Sequence, residues 1–183
     1  MAVVEAIATQ YLEANASSVT FSTIPQTYEH LELRVSTHDT YDTTYDQIYI
    51  RFNGDTGSNY WYHYAEGYGS SENTSYGGAT TAGRCSQSIG SWDGSDPGIP
   101  TSYYSSGIVT ILDYANANKN TTVNGLSGLS YDTPSASARN SVWMGSSVWD
   151  NTAAITSITL LTTLGSGVFA RGSVFNLYGW NSS

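Results

Sequence analysis

The chain is poor in cysteine, in positive charge and in helical periodicity, and each shortage removes a class of protein. A single cysteine, Cys85, cannot form an intramolecular disulfide, so the stapled framework of a small secreted domain is excluded and assembly in a reducing cytoplasm fits. Six basic residues stand against 15 acidic ones, a formal charge of -9 that repels a phosphate backbone, so nucleic acid is not an expected partner. No apolar run approaches the roughly 18 to 20 residues needed to cross a bilayer, so no membrane association is expected. The first residues, MAVVEAIATQYLEANASS, lack a basic n-region and place Glu5 in the apolar stretch, which is not the pattern of a signal peptide. No segment sustains a 3.6-residue period with caps, so helices should be short and few.

What remains is a chain of 183 residues, a suitable length for one domain over 1–183, with 39% hydrophobic but only 11% charged residues. Ser, Thr, Asn and Tyr keep its surface wet, together with 18 glycines, a composition that favours strands and turns. The readable periodicity is two. HLELRVST (30 to 37) alternates Leu31, Leu33 and Val35 with His30, Glu32 and Arg34. VTFSTI (19 to 24) stops at Pro25, and QIYIRFN turns through NGDTGSN into NYWYHYAE. Further strands are expected at 107–116, 138–149, 154–164 and 168–180, the last bent at Gly172. Residues 1–17 are an amino-terminal arm or first strand, with IATQYLEANA expected as a strand pairing with 19–24 in preference to a short helix. The expected fold is therefore all-β: an antiparallel, jelly-roll-like β-sandwich with long Gly/Ser/Tyr-rich loops.

Residues 66–107 break the regularity and read as a long projecting region holding one short strand near 79–90, with Tyr76, Trp92, Tyr103 and Tyr104 on its flexible backbone. Residues 116–137 read as a second loop. In the turn, Gly54 and Gly57 are expected to supply positive φ while Asn53, Asp55 and Asn59 bond local backbone. Arg51 is expected to meet an acid on the neighbouring strand, and Tyr60, Tyr62 and Tyr64 to line one face.

Residues that carry chemistry are present but scattered. His30, His38 and His63 coexist with many Ser and Asp, yet no G-x-S-x-G elbow marks a nucleophile. Glu29, Glu32, Asp39, Asp42, Asp46, Glu66 and Glu72 offer carboxylates without the paired spacing of a glycosidase, and they read as turn residues and strand ends. Asp39, Asp42 and Asp46, or Asn53, Asp55 and Asn59, supply oxygen ligands without EF-hand order, and the dispersed His and lone Cys do not suit zinc. No catalytic residue, metal or cofactor is expected. The aromatic residues say more: five Trp and 15 Tyr combine apolar faces with polar tips, as in protein interfaces. Trp143, Trp149 and Trp180 read as core, whereas Tyr11, Tyr76, Trp92, Tyr103 and Tyr104 read as partner contacts.

Three stretches, SSVTFSTIPQTYEHLELRVS, DQIYIRFNGDTGSNYWYHYAEGYGSS and AITSITLLTTLGSGVFARGSVFNLYGW, resemble a family of small virion structural proteins of tailed bacteriophages. The resemblance spans residues 18–180, its most specific strings being FNGDTGSNY and the FARGS…LYGW ending. It implies a nonenzymatic part of the virion, assembled in the host cytoplasm, and brings no active-site residues with it. A capsid cement or decoration subunit is the first expectation, with the major capsid protein or other virion proteins as partners and a homo-oligomer or many lattice copies. A tail-fibre or baseplate module that binds host glycan is the alternative.

Overall fold

The computed structural model describes residues 3–41, 45–89, 102–130, 140–163 and 167–182. Every regular element among them is a strand: β1 (Val3–Tyr11), β2 (Ser18–Phe21), β3 (His30–Thr37), β4 (Tyr45–Phe52), β5 (Tyr60–Tyr68), β6 (Ser71–Thr80), β7 (Gly83–Ile89), β8 (Ser105–Leu112), β9 (Thr121–Leu129), β10 (Ser141–Trp149), β11 (Ile158–Leu161) and β12 (Val174–Asn181). They form an eight-stranded antiparallel sheet in the order β1-β12-β3-β8-β9-β10-β5-β6 and a four-stranded antiparallel sheet in the order β2-β11-β4-β7. The all-β, two-sheet sandwich expected from the sequence is therefore what the chain adopts.

Alternation builds the core. Leu31, Leu33 and Val35 of β3, Val109 and Ile111 of β8, Val123 of β9 and Trp149 of β10 point inward from the large sheet. They meet Val19 and Phe21 of β2, Ile48, Ile50 and Phe52 of β4, and Ile158 and Leu160 of β11. From an alternate position on β4, Tyr49 faces Arg84 of β7, whose guanidinium also lies over the rings of Tyr62 and Tyr64 at 4.3 and 5.2 Å.

The inner face of β8–β10 is unusual in carrying small residues where a core would carry large ones. β7, an edge of the small sheet, lies against that face with its unpaired backbone groups exposed to it. Serine hydroxyls satisfy them. Arg84 N donates to Ser147 Oγ (2.9 Å), which donates to Arg84 O (2.7 Å); Gln87 N donates to Ser127 Oγ (3.0 Å), and Ser105 Oγ donates to Gln87 O (3.0 Å). Gly125 completes the track, because a Cβ there would sit 1.9 Å from the Cys85 carbonyl oxygen.

Several expectations need correction. Residues 66–107 are not one projecting loop: β7 is the short strand expected near 79–90, but β6 precedes it and the segment leads into β8. β6 lacks apolar alternation because it is a wet edge strand, and β7 lacks it because it packs on serine and glycine. The loop expected over 116–137 contains β9, whose core positions under β7 are Gly125 and Ser127. β1 pairs with β12, not with β2, because β2 has four residues and is taken by β11. Among the described residues of the stretch expected at 154–164, Ile158–Leu161 alone is a strand. The bend before β12 is at Gly172, with φ at +92°.

Candidate functional site

The turn between β4 and β5 brings together a dense set of polar contacts, made to the turn itself and to neighbouring parts of the chain. Positive φ falls on Asn53 (52°) and Gly54 (70°); Gly57 is not in that region, contrary to expectation, and its bareness instead admits Asn59, whose Nδ2 would lie 2.8 Å from an added Cβ. Asp55 accepts from Gly57 N (2.7 Å), Asn59 Nδ2 (2.9 Å) and Trp149 Nε1 (2.8 Å), bonds that hold its carboxyl below the usual range. Asn53 reaches the β10–β11 connection instead of local backbone, accepting from Thr156 N (2.8 Å) and Ser157 N (3.1 Å). Arg51 donates to the Thr81 carbonyl (2.8 Å), not to an acid. Tyr60 and Tyr64 are buried and Tyr62 is half-buried, so the expected tyrosine face is present. This turn is a structural joint.

The other chemical candidates do not converge. His30 begins β3 and accepts from Asp113 N at Nδ1 (3.0 Å), whereas His38 lies one residue past its end and donates from Nδ1 to the Tyr103 carbonyl (2.9 Å); an eight-residue strand, about 26 Å long, separates them. His63 is exposed on β5, four strands away from β3 in the large sheet, opposite Ser146 and Tyr76. Glu66, buried, accepts from Gln87 Nε2 (2.6 Å), Asn73 Nδ2 (2.9 Å) and the Tyr45 hydroxyl (3.2 Å). Asp46 is buried and accepts from Gln47 N (2.7 Å) and Thr163 N (2.9 Å), and burial raises its pKa. Asp39 is fully buried: Oδ1 accepts from Tyr41 N (2.8 Å), Oδ2 has no hydrogen-bond partner, and burial with the charge of Asp46 pushes the carboxyl up to about 7. Asp42 lies outside the described residues. Among the described residues no three His, Cys, Asp or Glu side chains are grouped as a metal ion would require.

A different surface stands out, the outer face of β8–β10. Ile108 pairs with Leu126, Leu126 with Met144, and Met144 with Ala65, so a row of apolar side chains crosses the middle of the large sheet. Beside it Val142 pairs with Gly128, itself opposite Ser106. Exposure is 46% for Ile108, 55% for Leu126, 61% for Val142 and 62% for Met144, high values for aliphatic side chains in the centre of a sheet. No outward position of these three strands is ionisable, although the chain carries a formal -9. Charge begins at the rims: Arg34, paired with Glu32 at 2.7 Å and lying over Tyr178, on one side, and His63 and Glu72 on the other. Two open grooves, about 470 and 620 Å³, run along the face; the first is lined by Arg34, Ile108, Leu126 and Val142, the second by Gly67, Tyr104, Asn140 and Val142.

Tyr11 and Tyr76 project from the edge strands β1 and β6 on this same side, 52% and 84% exposed. Tyr103 and Tyr104 are half-buried rather than held on a loop tip: the Tyr104 hydroxyl donates to the Arg171 carbonyl (2.9 Å) and its ring lies 5.8 Å from His38. Trp92 lies outside the described residues. Trp143 and Trp149 are buried, as expected. The aliphatic row itself escaped the sequence reading, because it is assembled across three strands by the pairing of Ile108 with Leu126 and of Leu126 with Met144. Compared with known protein families, curated proteins and solved structures, the chain matches none.

Proposed function

We propose that the protein is a nonenzymatic structural protein of a phage virion, a capsid cement subunit that docks through the outer face of its large sheet. The observation that carries this reading is the uncharged aliphatic row Ile108, Leu126, Met144 with Val142 beside it. Apolar surface of this kind is favourable to bury, at about 25 cal/mol per Å², and costly to leave wet. A sheet face is broad and nearly flat, a shape that suits another folded protein better than a small molecule, which needs a concave site. The charged rim keeps copies soluble before docking and sets register afterwards. The resemblance of the sequence to phage virion proteins supplies the class of partner, the major capsid protein or its neighbours.

The glycan-binding alternative has its own support in Trp61 and Tyr76, 53% and 84% exposed on adjacent strands. The centre of the face is aliphatic, however, and sugars stack on aromatic rings. Quantitative mass spectrometry of gradient-purified tailless capsids and of separated tails distinguishes the two. Cement predicts the chain on capsids in many copies. Its presence on tails alone, together with a glycan-array signal that Trp61→Ala removes, would support the alternative instead.

A further inference from the structure

Among the described residues the two sheets have four edges, and three of them are closed to another strand. β7 has its backbone groups satisfied by Ser105, Ser127 and Ser147. β2 is four residues long. β1 is broken midway by a register shift between Ala6 and Ala8. β6 differs: it follows β5 residue for residue from Ser71 to Gly77, with the only shift of that pair beyond this segment, between Tyr60 and Tyr62. Natural edges are usually blunted by charged side chains, Lys above all, by Pro, a bulge or a covering segment; the segment Ser71–Gly77 carries neither Lys nor Pro, no register shift and a single charge, Glu72. Ser71 to Thr74 are exposed, and Tyr76 is 84% exposed, an unusual state for so large a ring.

We infer that β6 pairs antiparallel with β6 of a second copy, joining two eight-stranded sheets into one of sixteen strands. A two-fold axis normal to the sheet requires residues of one face to oppose each other, so the register that centres on Thr74 sets Thr74 against Thr74, Asn73 against Ser75 and Glu72 against Tyr76. Glu72 is the only charged residue of β6, and this register keeps the two copies of it apart while placing each beside a tyrosine ring. Two chains of formal charge -9 can therefore approach along this edge without opposing like charges directly. The same axis turns both outer faces the same way, so the dimer presents two aliphatic rows side by side, and docking of one raises the effective concentration of the other. The pairing itself is a property of the isolated chain and does not depend on what the outer face meets.

Sedimentation velocity on the purified 183-residue chain tests this over a concentration series from roughly 1 to 200 µM, a range that brackets the micromolar affinity expected of an interface at the small end of the stable range. The wild type is expected to pass from monomer to dimer. Tyr76→Glu, at an exposed position, sets like charges opposite each other twice and is expected to weaken the dimer at least tenfold. Adding Glu72→Lys to it recreates two opposite-charge pairs and is expected to restore dimerisation, a rescue that only this register gives. A wild type that stays monomeric throughout, a Tyr76→Glu variant that dimerises as well as wild type, or a double variant no better than the single one would each overturn the pairing; circular dichroism confirms that the variants are folded. Localisation of the chain to capsids or tails is unaffected by any of these outcomes, so the two readings fail separately.

Discussion

Asp39 is a buried carboxyl beside a second one, Asp46, and its folded-state pKa of about 7 lies above the ordinary value of 3.8. The native state thus holds a proton that the unfolded chain releases. The stabilisation from that proton is complete below pH 4 and is lost as pH rises through 7, an upper bound of about 4 kcal/mol for three pH units. Asp46 is shifted in the same direction. Asp39→Asn should therefore raise stability at pH 8 relative to wild type and flatten the loss between pH 4 and 7, read by urea unfolding at several pH values; a variant that keeps the full wild-type slope would show that the proton is held elsewhere. The turn after β4 gives a second expectation at this scale. Asp55→Ala removes the partner of the buried Trp149 indole and two bonds within the turn, and should cost about 1–3 kcal/mol. Gly54→Val, at φ +70°, should cost about 1–2 kcal/mol by the same measurement.

Among the elements, the contact of β7 with the large sheet is the most demanding. Ser127→Ala or Ser147→Ala leaves a buried backbone N–H of β7 without its partner, and each should lower stability by about 1–3 kcal/mol. Gly125→Ala should cost more than either, because its methyl carbon cannot share space with the Cys85 carbonyl and the sheets must part. Urea midpoints of the three variants rank these effects, and a Gly125→Ala variant as stable as wild type would contradict the close approach. This contact also explains what the sequence concealed. β3 and β4 alternate cleanly because one face is aliphatic core and the other is not, so both were legible. β9 was not, since packing under β7 requires Gly125 and Ser127 at inward positions where a strand pattern would show large apolar residues. β6 was hidden for the opposite reason, being wet on both faces. The inward half of the candidate residues, Trp143, Trp149 and the Asp55 turn, followed from pattern and turn chemistry. The outer row depends on the pairing of strands distant in sequence, Ile108 with Leu126 and Leu126 with Met144, which no local pattern reports.

At the scale of the molecule, the described residues separate two kinds of surface: charge at the rims and ends, and an uncharged aliphatic centre on the outer face of the large sheet. If that centre is a docking surface, Leu126→Lys with Met144→Lys should leave the fold intact, at a cost of about 1 kcal/mol, and abolish co-sedimentation with capsids. Met144 also provides the most direct measurement, because the sequence has one other methionine, Met1, and Met144 is 62% exposed. Dilute peroxide converts such a thioether to the sulfoxide at a rate that falls when the sulfur is covered. Peptide mass spectrometry should find Met144 oxidised readily in the isolated chain and at least tenfold more slowly in purified particles, whereas equal rates in the two states would contradict burial of this face.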